Sequence, residues 1–121
     1  MTRPYKWIGV DKVGSVACVN LLTPRIKDFE LEEVGIELAR IIDEDGAQRV
    51  VFNLGPTDPE CLFSVFLAKL ISFQRRLETH GGKLALAQLS ERTLEIFRVS
   101  GLEKFFHFYP TQAEAVKAVE A

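Results

Sequence analysis

Apolar and polar positions change period three times between Arg49 and Leu102, and each joint is punctuated. Val50, Val51, Phe52 and Leu54 form a nearly continuous apolar run. This predicts a strand over Arg49–Leu54 that is covered on both faces, as interior parallel strands are. Pro59–His80 then follows helical spacing, with Leu70, Ile71, Phe73 and Leu77 apolar and Gln74, Arg75, Arg76 and Glu78 polar. Thr57 or Asp58 is placed to cap this helix, and Pro59 suits its first position. Gly81-Gly82 stops it. Leu84–Leu89 reads as a second strand. Ser90 caps a short helix carrying Leu94, Ile96, Phe97 and Val99, which Ser100-Gly101-Leu102 closes. The result is a β-α-β-α unit.

The flanking segments extend this unit. Tyr5–Val10 alternates weakly, Asp11–Ser15 reads as a turn around Gly14, and Val16–Leu22 is apolar and β-branched, which together predict a hairpin that Pro24 ends. Asp28 is a candidate cap for a helix whose first turn is rich in acids, where they complement the helix dipole. Leu31, Val34, Leu38, Ile41 and Ile42 form its apolar stripe, and Gly46 ends it. Phe105–Tyr109 reads as a last strand. Thr111 and Glu114 form a capping box for a last helix with Ala115, Val116 and Val119 on one face. The expected fold is α/β, a mixed sheet of five strands with four helices, as one domain over residues 1–121.

At 121 residues the chain is long enough to bury a core without a disulfide or metal staple. The formal net charge of −2, with Arg75, Arg76, Arg92 and Arg98 scattered among acids, argues against a nucleic-acid footprint, which needs a basic face. No apolar run is long enough to insert into a membrane, and there is no signal-peptide pattern, so a cytoplasmic location is expected. Cys18 and Cys61 match no metal or redox spacing and read as buried small hydrophobes. His80 reads as a helix-end residue, and His107 has no second ligand at metal spacing. Asp43, Glu44 and Asp45 read as a solvated helix end. Asp58 and Glu60, beside Pro59, suit capping better than acid–base work. No metal, cofactor or catalytic constellation is expected, and the chain does not read as an enzyme.

The order of these pieces resembles the STAS domain, the family of sulphate transporters and anti-sigma-factor antagonists. The residues that carry the resemblance are Val50-Val51-Phe52-Asn53-Leu54, then Gln74-Arg75-Arg76-Leu77 before Gly81-Gly82-Lys83-Leu84, then Leu89-Ser90, Ser100-Gly101-Leu102, Phe105-Phe106 and the helix start at Thr111–Ala115. The resemblance covers essentially the whole chain. It implies an anti-sigma-factor-antagonist fold with an N-terminal hairpin followed by alternating α and β.

The family's regulatory motif is Asp-Ser-(Ser/Thr)-Gly-Leu, and its first Ser is phosphorylated by a partner kinase. Counted back from Gly81-Gly82, that Ser falls on Ser64. The acid position is Phe63, the next two positions are Val65 and Phe66, and the Leu position is Leu67. The hydroxyl is kept, while the acid and the small residues are lost. The loop Gly55–Cys61 is longer than usual, and Asn53 stands where many members have a strand-end Asp. A helix begun at Pro59 would place Ser64 more than a turn inside, where the dipole's help has faded and a serine commonly bonds an upstream carbonyl. Both readings of Ser64, phosphosite and helix residue, stay open.

Cys61–Ala68 is apolar nearly all round, so it is either wholly buried or partly an exposed patch. The resemblance makes this helix start a partner-binding surface, with Asp58, Leu62, Phe63, Val65 and Phe66 as its candidates. The implied function is a non-enzymatic regulator that binds an anti-sigma factor or related serine kinase, with phosphate at Ser64 disrupting the contact. A constitutive binder or a homodimer is equally consistent. Two alternatives are a STAS subunit of a membrane lipid-transport complex, and a STAS domain binding a nucleotide or other small ligand.

Overall fold

The computed structural model describes residues 5–23, 25–55 and 64–120; for Asp28 and Ser64 it describes the backbone. Within these residues the chain forms β1 (Ile8–Val13), β2 (Val16–Leu21), a 3₁₀ turn (Asp28–Glu30), α1 (Leu31–Asp43), β3 (Arg49–Asn53), α2 (Ser64–Thr79), β4 (Lys83–Ala87), α3 (Glu91–Val99), β5 (Phe108–Tyr109) and α4 (Gln112–Glu120). They make one five-stranded sheet in the order β1-β2-β3-β4-β5. β1 is antiparallel to β2, and every later pair is parallel. This is the expected mixed sheet with a hairpin at one edge.

The hairpin differs from the expectation in its bounds. β1 runs on through Asp11 and Lys12 to Val13, and the turn is only Gly14-Ser15. Charges fit there because this is the sheet's edge and both side chains are exposed. Gly14 has φ +61, the positive value that a tight two-residue hairpin loop demands at its first position.

Each face of the sheet has its own core. Ala17, Val19, Leu21, Val50, Phe52, Leu84 and Leu86 face α1, α2 and α3 and meet Leu31, Leu38, Ile41, Leu70, Leu77 and Phe97. Cys18, Val51, Ala85 and Ala87 face α4 and meet Ala115, Val116 and Val119. The first set is large and branched and the second small, so α4 lies against a shallower surface. β3 contributes to both sets, which explains its unbroken apolar run.

The helix signals act largely as read. α1 starts at Leu31, after the 3₁₀ turn, and its preceding residue Glu30 makes no side-chain cap bond. Ser90 caps α3 by accepting from the Thr93 amide at 3.2 Å. Thr111 accepts from the Glu114 amide at 3.2 Å. α2 ends on paired bonds from Gly81 to the Glu78 carbonyl (3.0 Å) and from Gly82 to the Leu77 carbonyl (2.7 Å). α3 ends in the same way, with Leu102 donating to the Phe97 carbonyl at 2.9 Å. The last strand is shorter than Phe105–Tyr109. Phe106 turns inward instead and packs edge-on to Phe97, with centroids 5.6 Å apart. Filling the core with that ring takes precedence over three more residues of edge pairing.

Candidate functional site

The parallel strands β2, β3 and β4 end together at Leu21, Asn53 and Ala87. Loops at the carboxyl ends of such strands are where open α/β sheets place their sites. Pairing continues one step past β3, with the Leu54 amide donating to the Ala87 carbonyl at 2.9 Å. There the two chains separate tightly. Gln88 takes φ +61, a left-handed value unusual for a residue with a side chain. A Cβ at Gly55 would lie 2.8 Å from the Gln88 Oε1 and 3.1 Å from its Cβ. Gly55 therefore leaves room for Gln88 to fold over the end of β3.

Asn53 is 6% exposed, and on the α4 side of the sheet it aligns with Asn20 on β2 and Ala87 on β4. Its Nδ2 donates to the Gln112 Oε1 at 2.6 Å, which ties the end of β3 to the first residue of α4. Its Oδ1 is buried and meets no hydrogen-bond donor among the described residues. Asn53, Gln88 and Gln112 are amides. They hold and read hydrogen-bonding groups but transfer no protons near neutral pH.

The first described turn of α2 sorts the expected contact residues. Phe66 is 2% exposed. It belongs to the stripe Phe66, Leu67, Leu70, Phe73 and Leu77 that faces the sheet, so its ring packs into the core and is not presented to a partner. Val65, one position earlier and about 100° around the helix, is 41% exposed. Asp58, Leu62, Phe63 and the Ser64 side chain lie outside the described residues, as do Pro59 and Cys61.

Val65 leads onto a seam between α1 and α2 that the sequence reading missed. Lys69, one turn after Val65, bonds Glu32 at 2.9 Å. Two turns further on, Arg76 holds Asp43 through both of its carboxylate oxygens. The bond from Arg76 holds the Asp43 carboxyl below its ordinary pKa, against the opposing effect of burial and with the charges of Arg76 and His80 assisting. Ile36, which lines the groove between the two helices with Lys69 and Arg76, is 52% exposed, and Phe29, in the turn before α1, is 73% exposed. The signal was present in the sequence: Ile36 sits between Val34 and Leu38, off the apolar stripe of α1.

The helix-end acids of α1 are engaged rather than simply solvated. Asp43 pairs with Arg76, Glu44 lies 3.5 Å from Arg40, and Asp45 accepts from the Tyr5 hydroxyl at 2.5 Å. His80 stands at the end of α2 with Nδ1 2.9 Å from the Arg76 carbonyl, a helix-end role. Cys18 is buried, and burial pushes its thiol pKa up, with Asp11 adding to the shift. Among the described residues no group of three or more acids, histidines or cysteines is placed to hold a metal, and no helix is long and apolar enough to cross a membrane.

Comparison with known families gives a match to the STAS domain over residues 30–115. The chain belongs to the STAS domain family. Solved structures of the same fold include an anti-sigma-factor antagonist (STAS) domain protein from Planctomyces limnophilus, at 20% identity and TM-score 0.81, covering 94% of this chain and 98% of that one. An anti-sigma factor antagonist from Mycobacterium paratuberculosis matches at 23% identity and TM-score 0.79, covering 94% and 93%. The Bacillus cell fate determinant SpoIIAA in its phosphorylated form matches at 18% identity and TM-score 0.68, covering 93% and 98%. Comparison with curated protein sequences gives no match.

Proposed function

We propose that this STAS domain is a non-catalytic regulator that works by docking a partner polypeptide, an anti-sigma factor or related serine kinase, on the α1–α2 face. The observation that carries this reading is the pair of exposed apolar side chains Ile36 and Val65 on the two helices bonded by Lys69 and Glu32, with exposed Phe29 in the turn before α1. Large apolar side chains left in water on adjoining helices mark a surface that gains free energy when covered. Asp58, Leu62 and Phe63 are the further candidate contacts of this reading, while Phe66 packs into the core. A phosphate on Ser64 would add about −1.5 to −2 charges at the edge of that apolar contact, which weakens it. Structural likeness to anti-sigma-factor antagonists supports this choice of partner.

The test is calorimetric titration against purified anti-sigma factors and related serine kinases of the source organism. Ile36→Asp and Val65→Asp should each weaken binding about tenfold or more, because each buries an unpaired charge, while leaving the folded spectrum unchanged. Undiminished affinity in both variants removes the surface. Incubation with those kinases and ATP, followed by peptide mass mapping, tests the switch separately: no phosphate on Ser64 removes it.

A further inference from the structure

Toward the amino-terminal end of β4, a cleft of about 340 Å³ opens between α2, the start of β4, β5 and α4. Its floor has an unusual hydrogen-bonding edge. In β4 the odd-numbered residues bond β3: the Lys83 amide donates to the Gln48 carbonyl at 2.8 Å, and the Ala87 carbonyl accepts from Leu54 at 2.9 Å. The even-numbered residues point the other way, and the Leu86 amide donates to the His107 carbonyl at 2.9 Å. By the same alternation, the N–H and C=O of Leu84 point toward β5. But β5 pairs only with Leu86 and Ala87. Leu84 therefore turns one donor and one acceptor, side by side, into the cleft, with no strand opposite them among the described residues.

The walls match a flat molecule. Phe105, His107 and Tyr109 line the cleft with the apolar Ala118 of α4. The Phe105 backbone is held because the Gln74 side chain, 7% exposed, donates to its carbonyl at 2.7 Å. A paired donor and acceptor on one edge, with aromatic side chains around it, is the arrangement that reads a carboxamide. The amide C=O takes the Leu84 N–H, and its N–H₂ donates to the Leu84 C=O. A peptide strand fits less well. Only one residue of β4 offers a free edge, and the volume lies at the low end for small-molecule sites.

We propose that this cleft binds a small planar molecule bearing a carboxamide or cyclic-amide edge, read by the Leu84 peptide groups and flanked by Phe105, His107 and Tyr109. Binding here is independent of partner docking on the α1–α2 face. The probe is benzamide, titrated into the isotopically labelled protein and followed by amide NMR shifts. N,N-dimethylbenzamide, which has the ring and the carbonyl but no N–H donor, is the control.

Benzamide should give saturable shifts at the amides of Leu84, His107 and Tyr109, and the dimethyl compound should bind about tenfold more weakly or not at all. Ala118→Phe, which fills the cleft from the half-buried face of α4, should abolish the response while the remaining spectrum stays dispersed. His107→Ala, at an exposed side chain, should weaken it severalfold and serves if Ala118→Phe does not fold. The proposal is overturned by an unmoved Leu84 amide, by equal binding of the two compounds, or by undiminished binding in the folded variants.

Discussion

Glu37 shows how one side chain can hold two parts of the fold together. It is 8% exposed on α1, and its two carboxylate oxygens accept the backbone amides of Lys6 and Trp7, each at 2.8 Å. The Trp7 indole donates to Glu33, one turn earlier on the same helix, at 2.8 Å. These amides lie just before β1, where no neighbouring strand meets them among the described residues, so the helix supplies the acceptors. Glu37→Ala strands both donors in a partly buried place and should lower the unfolding free energy by about 1–3 kcal/mol, measured by denaturant titration. The sequence hides this role. Glu37 sits beside Leu38 in the middle of α1 and looks like an ordinary surface acid, because the groups it serves are about thirty residues away along the chain.

At the scale of elements, helix ends and helix pairs carry testable stability. A Cβ at Gly82 would lie 2.4 Å from the Gln48 carbonyl oxygen, which is backbone and cannot swing aside. Gly82→Ala should cost about 1–3 kcal/mol as the turn between α2 and β4 is forced off β3, read as a fall in the denaturation midpoint. The α1–α2 pairing has a signature in acid. Because Arg76 holds the folded Asp43 pKa below its unfolded value, this pair contributes stability above the unfolded pKa. The contribution is lost as pH falls through the depressed folded value. Arg76→Ala should return the Asp43 carboxyl toward the ordinary range in an NMR titration and flatten the stability curve in that acid window.

Elements of this kind were largely legible in the chain. Periodicity marked α1 and β3, and Ser90, Thr111, Gly81 and Gly101 marked helix ends through local chemistry. The expectation for Phe105–Tyr109 erred because one ring, Phe106, is drawn inward by Phe97, a contact that no local pattern encodes. At the site, the apolar run over Cys61–Ala68 marked a segment without orienting it. It did not show that Phe66 faces in while Val65 faces out, because a run apolar on all sides has no phase.

Across the whole molecule, the two faces of the sheet are unequal. Three helices cover the face with large branched residues, while α4 alone covers the face lined by Cys18, Ala85 and Ala87. The docking face proposed for a partner and the Leu84 cleft lie toward opposite ends of the strands. Trp7, the only tryptophan in the chain, is half-buried and pinned to α1 through Glu33, with its own amide held by Glu37. Its emission should therefore report the attachment of the first strand rather than the core as a whole. In Glu37→Ala the fluorescence transition should come at lower denaturant than the loss of helical ellipticity, whereas in the parent chain the two should coincide. A built-in optical probe thus sits on the seam where the sheet's outer margin would first peel away.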